Sequence, residues 1–284
     1  MSANISTICI IGAGTMGSGI AQVAAQSNFN TLLFDINSEV LKKANTTVQK
    51  NLQFLVDKQK ITVADKDNIY SRIRFVNDIK QCVADIFIEA IVEKPEAKVS
   101  IFNQLAAINN SDAIFASNTS SLSISDIQKP VNHPARVVGM HFFNPAPLMK
   151  LVEVVKGEQT ADHVAQTIYN LCIQLNKTPV LCKDAPGFIV NRVARHYYLE
   201  AMKLVEQGIA SFENVDAIME ATGFKMGPFK LMDLIGMDIN LAVSKSIYEA
   251  FNNDERFTPS PLQIEKVANG DLGKKTGKGF YNYN

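Results

Sequence analysis

The sequence predicts an α/β protein, in which a doubly wound, mostly parallel sheet is followed by a second, all-helical domain. Up to about residue 186, short runs rich in Val, Ile and Phe alternate with helical patterns. Such runs are typical of strands buried on both faces, and their alternation with helices favours a parallel sheet. Helical patterns then fill the chain almost to its end. We therefore place a domain boundary near Ala185–Pro186, between residues 1–185 and 186–284.

The elements follow in order along the chain. The predicted strands of the first domain are "TICIIG", "TLLFDI", "DIFIEAIVE", "AIFASN", "RVVGMHFF", "KLVEVV" and "TPVLC". A helix is predicted over 40–56, where apolar residues recur at helical spacing, and another begins after Glu93 with Pro95 in its first turn. A third is expected from about Ala161 to Leu175. In the second domain the clearest helical patterns are "GIASFENVDAIMEATG" and "GPFKLMDLIGMDINLAVSKSIYEAF".

Composition narrows the class of protein. The chain has 284 residues, and its 28 Lys and Arg balance its 28 Asp and Glu. A neutral chain gives no electrostatic reason to expect a nucleic-acid or membrane partner. We see no leader segment and no apolar run of membrane-spanning length, so we expect a soluble, cytoplasmic protein. The four cysteines have neither CxxC nor zinc spacing, and no metal site is predicted.

A glycine-rich segment, "CIIGAGTMGSGIA", follows the first strand directly. Gly12, Gly14 and Gly17 form the pattern G-x-G-x-x-G, with Thr15 and Met16 between the last two glycines. The first glycine permits a tight turn, the second lets backbone approach a pyrophosphate, and the third allows close helix–strand contact. The start of the next helix can then bind phosphates through its N–H groups. This context predicts a Rossmann dinucleotide site.

Asp35 ends the next strand, about twenty residues further on. A carboxylate at this position accepts hydrogen bonds from the adenosine ribose and repels a 2′-phosphate, so the cofactor predicted is NAD rather than NADP. The alternative role for Asp35 is a helix or turn cap beside Asn37 and Ser38.

His141 and Glu153 are the one histidine and the one glutamate in the mostly apolar stretch "MHFFNPAPLMKLVEVVKG". Residue 147 is their midpoint. If the two flanking strands run antiparallel around "NPAPLM", the two side chains fall opposite each other. A carboxylate there would fix the tautomer of the imidazole, which could then take a hydroxyl proton as hydride leaves the same carbon. The alternatives are a structural histidine and a solvent-facing glutamate.

The chain resembles the L-3-hydroxyacyl-CoA dehydrogenase family over its whole length. The motifs "GAGTMGSGIAQ", "SNTSSLSI", "GMHFFNPAPLMKLVEVV", "DAPGFIVNR" and "GKKTGKGFY" follow one another in the order and spacing of that family, in its compact form without a fused hydratase domain. The resemblance implies reversible NAD-dependent oxidation of a short-chain L-3-hydroxyacyl-CoA, such as (S)-3-hydroxybutyryl-CoA, in fatty-acid or butyrate metabolism. It also implies a homodimer formed through the second domain.

The same resemblance implies roles for individual residues. His141 matches the catalytic base, Glu153 its carboxylate partner, and Ser120 a serine that bonds the reacting oxygen of the substrate. Asn191 matches an asparagine that closes the site from the second domain. Contacts with cofactor or CoA are implied for Glu93, Lys98, Asn144, Lys275 and Lys58. Plainer alternatives are a turn residue for Ser120, a helix cap for Asn191 and a solvated side chain for Lys98.

Two other functions remain open on the sequence. One is an NAD-dependent dehydrogenase of a free hydroxy or sugar acid on the same fold. The other is a non-catalytic NAD-binding or structural protein, because fold alone does not determine function.

Overall fold

The structure is a computed structural model that describes residues 5–283, and it divides the chain into two compact units that meet between Asp184 and Ala185. The first unit contains one eight-stranded sheet with the strand order β3-β2-β1-β4-β5-β6-β7-β8. Its strands are β1 (Thr7–Ile11), β2 (Asn30–Phe34), β3 (Ile73–Val76), β4 (Ile86–Glu89), β5 (Ile114–Ser117), β6 (Val137–Phe142), β7 (Leu151–Lys156) and β8 (Thr178–Lys183).

Strand pairing explains where a ligand site can form. From β3 through β6 all neighbouring strands are parallel, whereas β7 is antiparallel to β6 and β8 is parallel to β7. Strands β4, β5 and β6 are buried along their whole length. The carboxyl ends of β1, β4, β5 and β6 share one edge of the sheet, which is where doubly wound sheets bind their ligands. The predicted mostly parallel sheet is confirmed.

The helices of the first unit cover the sheet and connect its strands. They are α1 (Thr15–Gln26), α2 (Ser38–Asp57), α3 (Val63–Ser71), α4 (Pro95–Ile108), α5 (Ile124–Gln128) and α6 (Asp162–Gln174). Helix α2 buries Leu41, Ala44, Val48 and Leu52, the stripe that the sequence pattern predicts. Helix α4 begins with Pro95 in its first turn, also as predicted. Three elements of this unit, α3, β3 and α5, were not predicted.

The second unit is helical. It contains α7 (Val190–Glu206), α8 (Phe212–Ala221), α9 (Pro228–Ile235), α10 (Met237–Ala250) and α11 (Pro261–Ala268). The single long helical pattern predicted over 227–251 is in fact two helices. They are separated at Gly236, whose φ of +102° is a left-handed value that favours glycine and ends a helix.

Two fully buried carboxylates tie the end of the chain to this helical unit. Asp216 accepts hydrogen bonds from the Phe229 N–H and the Tyr281 hydroxyl, each at 2.8 Å. Asp233 accepts hydrogen bonds from the Tyr281 N–H and the Tyr283 hydroxyl, each at 2.9 Å. Burial, together with the hydrogen bond to Asp216, raises the pKa of Tyr281 far above its usual value, so the phenol remains a donor. No helix within residues 5–283 is long and apolar enough to cross a membrane.

Candidate active site

The glycine-rich loop joins β1 to α1 in a tight turn. Gly12 has a φ of +98°. A Cβ on Gly17 would lie 1.7 Å from the carbonyl oxygen of Gly12, so the start of the helix approaches the loop more closely than any side chain permits. At Gly14, by contrast, an added Cβ would meet no atom of the described residues within 4 Å. Two glycines are thus required by the fold, and the third leaves open space beside the N-terminus of α1.

Asp35 lies against this loop. It follows β2 directly, and its Oδ2 accepts a hydrogen bond from the Ala13 N–H at 2.9 Å, while Oδ1 accepts one from the Asn37 N–H at 2.9 Å. The carboxylate therefore reaches the glycine-rich loop and also stabilises the turn that leads into α2. Asn37, rather than Asp35, is the N-cap of that helix.

A cavity of about 300 Å³ adjoins the open side of the loop. One wall is the start of α1, the second is α2, and the third is the segment that follows β6. Among its lining residues are Gly14, Thr15, Lys43, Thr47, Asn51 and Asn144. Asn144, a predicted cofactor contact, therefore lies on the same cavity as the glycine-rich loop. Lys58 is placed elsewhere, at the C-cap of α2, with its ammonium 5.6 Å from the centre of the Phe54 ring.

His141 and Glu153 face each other across β6 and β7. The two residues are direct partners in the antiparallel register, as the midpoint arithmetic predicts. The His141 Nδ1 lies 2.7 Å from Glu153 Oε2, and the two residues are only 6% and 1% exposed. Because an ionised carboxylate can only accept a hydrogen bond, Nδ1 carries the hydrogen, and in the neutral imidazole the lone pair is on Nε2. The arrangement is that of an oriented general base.

The segment that connects β6 to β7 is hydrogen-bonded to a lysine, Lys177. Lys177 lies between α6 and β8, and its ammonium donates hydrogen bonds to the carbonyl oxygens of Ala146 at 2.5 Å and Met149 at 2.8 Å. Burial, with a smaller effect from nearby Lys150, lowers the pKa of Lys177 to about 8. A nearly buried ammonium thus fixes the backbone that carries Asn144 and connects His141 to Glu153.

Glu93 organises the turn that contains Ser120. Its Oε1 accepts hydrogen bonds from the Ser120 N–H at 3.2 Å and the Ser121 hydroxyl at 3.1 Å, and it also contacts the Thr119 hydroxyl. Burial favours the protonated acid, but the charge of Lys98 and these hydrogen bonds outweigh it and lower the pKa of Glu93. Glu93 is therefore an anion that holds the Ser120 turn at the carboxyl end of β5.

Lys98, for which the resemblance implies a ligand contact, is buried between two carboxylates. It is only 1% exposed, and its ammonium lies 2.6 Å from Glu89 and 3.1 Å from Glu93. A lysine buried between two carboxylates supports their geometry. Because its side chain does not extend into solvent, the solvated side chain considered as an alternative is not what the structure shows.

Two predicted site residues, Asn191 and Lys275, lie in the helical unit, and each contacts a neighbouring side chain there. Asn191 lies in the first turn of α7, one residue after Val190, so it is not the N-cap, and its carbonyl oxygen accepts a hydrogen bond from Arg195 at 3.3 Å. Lys275 lies beside Gly236, and its ammonium forms an ion pair with Asp238 at the start of α10.

Comparison with known proteins assigns the chain to a family. Residues 7–185 match the model of the 3-hydroxyacyl-CoA dehydrogenase NAD-binding domain, and residues 187–283 match that of the 3-hydroxyacyl-CoA dehydrogenase C-terminal domain. The chain belongs to the 3-hydroxyacyl-CoA dehydrogenase family. The two models together account for nearly all of its length.

Relatives within this family are similar over the whole chain. The 3-hydroxyadipyl-CoA dehydrogenase of Escherichia coli is 45% identical over 100% of this chain, which spans 60% of that protein. A probable 3-hydroxybutyryl-CoA dehydrogenase of Deinococcus radiodurans is 41% identical over 96% of this chain and 99% of its own length. The crystal structure of (S)-3-hydroxybutyryl-CoA dehydrogenase from Ralstonia eutropha has a TM-score of 0.94 and 40% identity, with 99% of this chain and 100% of that chain covered.

The first unit of this family member thus matches an NAD-binding domain, and its geometry fits that cofactor. Open space at Gly14 admits a pyrophosphate beside the start of α1. Asp35 is placed beside the loop, where a ribose would lie.

Two residues with clear structural roles at this site were not predicted. Lys177 and Glu89 are charged side chains inside largely apolar stretches, "LNKTPVL" and "DIFIEA". That contrast is the same signal that identified His141 and Glu153. Their partners, however, are backbone groups and distant side chains that a motif does not show.

Proposed function

We propose that the chain catalyses the reversible, NAD-dependent oxidation of a short-chain (S)-3-hydroxyacyl-CoA, typified by 3-hydroxybutyryl-CoA, to the 3-oxoacyl-CoA. The observation that carries the proposal is the buried His141–Glu153 pair, 2.7 Å apart, at the sheet edge that holds the NAD-binding loop. The names of the relatives support the acyl-CoA class, and they differ in the acyl group, butyryl in one case and adipyl in another.

His141 is the general base in this proposal. In the oxidation direction its Nε2 takes the proton of the C3 hydroxyl as the C–O double bond forms. Bound NAD⁺ would supply the acceptor for the hydride of C3. The imidazolium is stabilised by Glu153, which accepts the hydrogen bond from Nδ1 throughout, and reduction is the reverse of these steps. General acid–base catalysis of this kind typically contributes about 10²–10⁴ in rate.

Ser120 and Asn191 are proposed to position the oxygen atoms of the substrate, and Ser120 to bond the reacting one. Support for Ser120 comes from its place three residues beyond β5, where Glu93 holds its backbone. Asn191 is proposed to act from the helical domain, residues 186–284, which we assign to substrate closure. Lys58 is proposed to contact the CoA phosphates, and Lys275 the cofactor.

We also propose that the protein is a cytoplasmic homodimer that associates through its helical domain. Support comes from apolar side chains exposed on that unit, such as Val193, Ile209 and Ile218, which are 66%, 65% and 62% exposed. Sedimentation as a dimer at micromolar concentration is expected. A strict monomer under these conditions would contradict the assembly but not the activity.

The test of the activity is oxidation of NADH, followed by loss of its absorbance, with acetoacetyl-CoA as substrate. Free acetoacetate and NADPH are the controls. Rapid turnover with NADH and the thioester alone is the expected result. Turnover of free acetoacetate instead would indicate a dehydrogenase of free acids, and NADH binding without turnover would indicate a non-catalytic protein.

His141→Gln assigns the proton chemistry. Turnover should fall about 10²–10⁴-fold, because only the general base is lost. NADH affinity, measured by fluorescence titration, should stay close to that of the wild type. Near-normal turnover in this variant would remove His141 from the mechanism.

A further inference from the structure

Glu89 is a completely buried carboxylate at the carboxyl end of β4, below the NAD-binding loop. Its Oε1 accepts hydrogen bonds from the Lys98 ammonium at 2.6 Å and the Ile91 N–H at 2.8 Å, and its Oε2 accepts one from the Ser117 hydroxyl at 2.7 Å. The side chain thus joins the end of β4, helix α4 and the end of β5.

The hydrogen bond from the Ile91 N–H to Glu89 supports the glycine-rich loop, because the 90–91 backbone contacts that loop. The Ala90 N–H donates to the Ile11 carbonyl oxygen at 2.7 Å, at the end of β1. A Cβ added to Gly12 would lie 2.7 Å from the Ala90 carbonyl oxygen and 3.0 Å from the Ile91 side chain. The 90–91 backbone is therefore the surface on which the loop rests. By accepting a hydrogen bond from the Ile91 N–H, Glu89 fixes that surface.

A second contact leads to the Ser120 turn. The Lys98 ammonium is shared between Glu89 and Glu93, at 2.6 and 3.1 Å. Glu93 in turn accepts hydrogen bonds from the Ser120 N–H and the Ser121 hydroxyl. One buried cation therefore determines where both carboxylates lie. If Glu89 loses its charge, Lys98 is left to Glu93 alone, and Glu93 is drawn away from the turn that it holds.

We infer that Glu89 is a positioning residue for the dehydrogenase reaction, which acts through Ile91 on the glycine-rich loop and through Lys98 and Glu93 on the Ser120 turn. A role in core stability alone would not require a carboxylate, because a buried ion pair contributes little net stability compared with apolar side chains of similar size. The part of the inference that concerns Ser120 depends on the proposed function. The part that concerns NAD does not.

The test compares Glu89→Gln with a structural control in the same unit, Thr160→Val. Thr160 is 4% exposed and donates to the Val137 carbonyl oxygen at 2.7 Å, at the start of β6 and away from the site. Both variants should lose stability to urea. Only Glu89→Gln should weaken NADH binding, by about tenfold, and lower kcat/KM for acetoacetyl-CoA about 10- to 100-fold, the range expected for small misplacements of reacting groups. If Glu89→Gln does not fold, Ser117→Ala, which removes one donor to the carboxylate, gives the same comparison with smaller effects.

A double-mutant cycle with Glu93→Gln tests the route. If Glu89 acts through Lys98 on Glu93, its replacement should cost much less in kcat/KM when Glu93 is already glutamine, because the two residues share one path. Fully additive effects would overturn this route. NADH affinity and kcat/KM within twofold of the wild type, at a stability loss similar to that of Thr160→Val, would overturn the inference as a whole. Absence of acyl-CoA turnover in the wild type would contradict the proposed function only, since NADH affinity would still decide the role of Glu89.

Discussion

Glu153→Gln isolates the charge of the proposed catalytic pair. Glutamine keeps the size of the side chain and a carbonyl oxygen that can still accept a hydrogen bond from His141 Nδ1. What it removes is a negative charge, 1% exposed, whose oxygen lies 2.7 Å from the imidazole. The imidazolium that would form during oxidation then has no counter-ion at Nδ1, whereas a neutral imidazole is affected much less by the loss of the charge.

The magnitude follows from the burial of the pair. Two unit charges about 4 Å apart at an effective dielectric constant of about 20 interact by about 4 kcal/mol, and a hydrogen bond to a charged group typically contributes about 1.5–3 kcal/mol net. A rise of about 2–3 kcal/mol in the activation free energy corresponds to a fall in kcat of about 30- to 150-fold. KM and NADH affinity should change little, because the charge difference develops only as the proton moves.

The assay is steady-state oxidation of NADH at saturating acetoacetyl-CoA, with NADH affinity measured separately by fluorescence. Glu39→Gln is the matched control, because Glu39 loses the same charge on the exposed face of α2, where its side chain is 70% exposed. That variant should retain wild-type kcat. If Glu153→Gln also retains kcat within threefold, with the fold intact, the pair is structural and the mechanism is wrong.

Three further predictions concern the NAD-binding unit. Gly17→Ala should prevent stable folding, since its Cβ would lie 1.7 Å from the Gly12 carbonyl oxygen. Gly14→Ala should keep wild-type stability but lose NADH affinity, because its Cβ would occupy the open space beside α1. Equal melting temperatures for the two variants would contradict this prediction. Asp35→Ala should raise the KM for NADH more than that for NADPH, and an unchanged ratio would remove Asp35 from cofactor selection. Lys177 has a pKa of about 8 rather than 10.5, so the unfolded state binds more protons between these values. The stability of the wild type relative to Lys177→Met should therefore rise by about 3 kcal/mol from pH 8 to 10.5, as shown by urea unfolding, and a flat difference would refute it.

Two of the three elements missed in the sequence, α3 and β3, give only a weak hydrophobic pattern, and the third, α5, has only five residues, fewer than two helical turns. Helix α3 buries none of its residues, so it has no apolar stripe to detect, and it depends instead on a capping box between Thr62 and Asp65. Strand β3 has only four residues and lies at the edge of the sheet, with Arg74 exposed. Patterns of hydrophobicity record contacts with the core, and here these amount to no buried residue in α3 and two, Ile73 and Val76, in β3.

The site was predictable where its geometry depends on strand register, and unpredictable where it depends on backbone acceptors. The opposition of His141 and Glu153 followed from counting residues, because the antiparallel connection is symmetric about residue 147. The place of Lys177 did not, because its acceptors are two main-chain carbonyl groups, and any residue type can supply those. The burial of Lys98 was unpredictable for a similar reason. A motif gives the position of the lysine in the chain, but its place between Glu89 and Glu93 depends on packing.

The reversal of strand direction at β7 gives this site its compactness. In a parallel sheet, neighbouring strands are joined by a crossover of a dozen or more residues, so two facing side chains come from distant parts of the chain. Here β6 returns directly as β7, and the proposed base and its carboxylate, only 12 residues apart, become cross-strand partners. The arrangement is sensitive to strand register, since a slip of one residue would turn Glu153 to the opposite face of the sheet.

Lys177 opposes such a slip, because it holds the carbonyl groups of Ala146 and Met149 in the connecting segment itself. Asn144 and Ala146 line the cavity beside the NAD-binding loop, so the same ammonium group supports both the proposed base and one wall of that cavity.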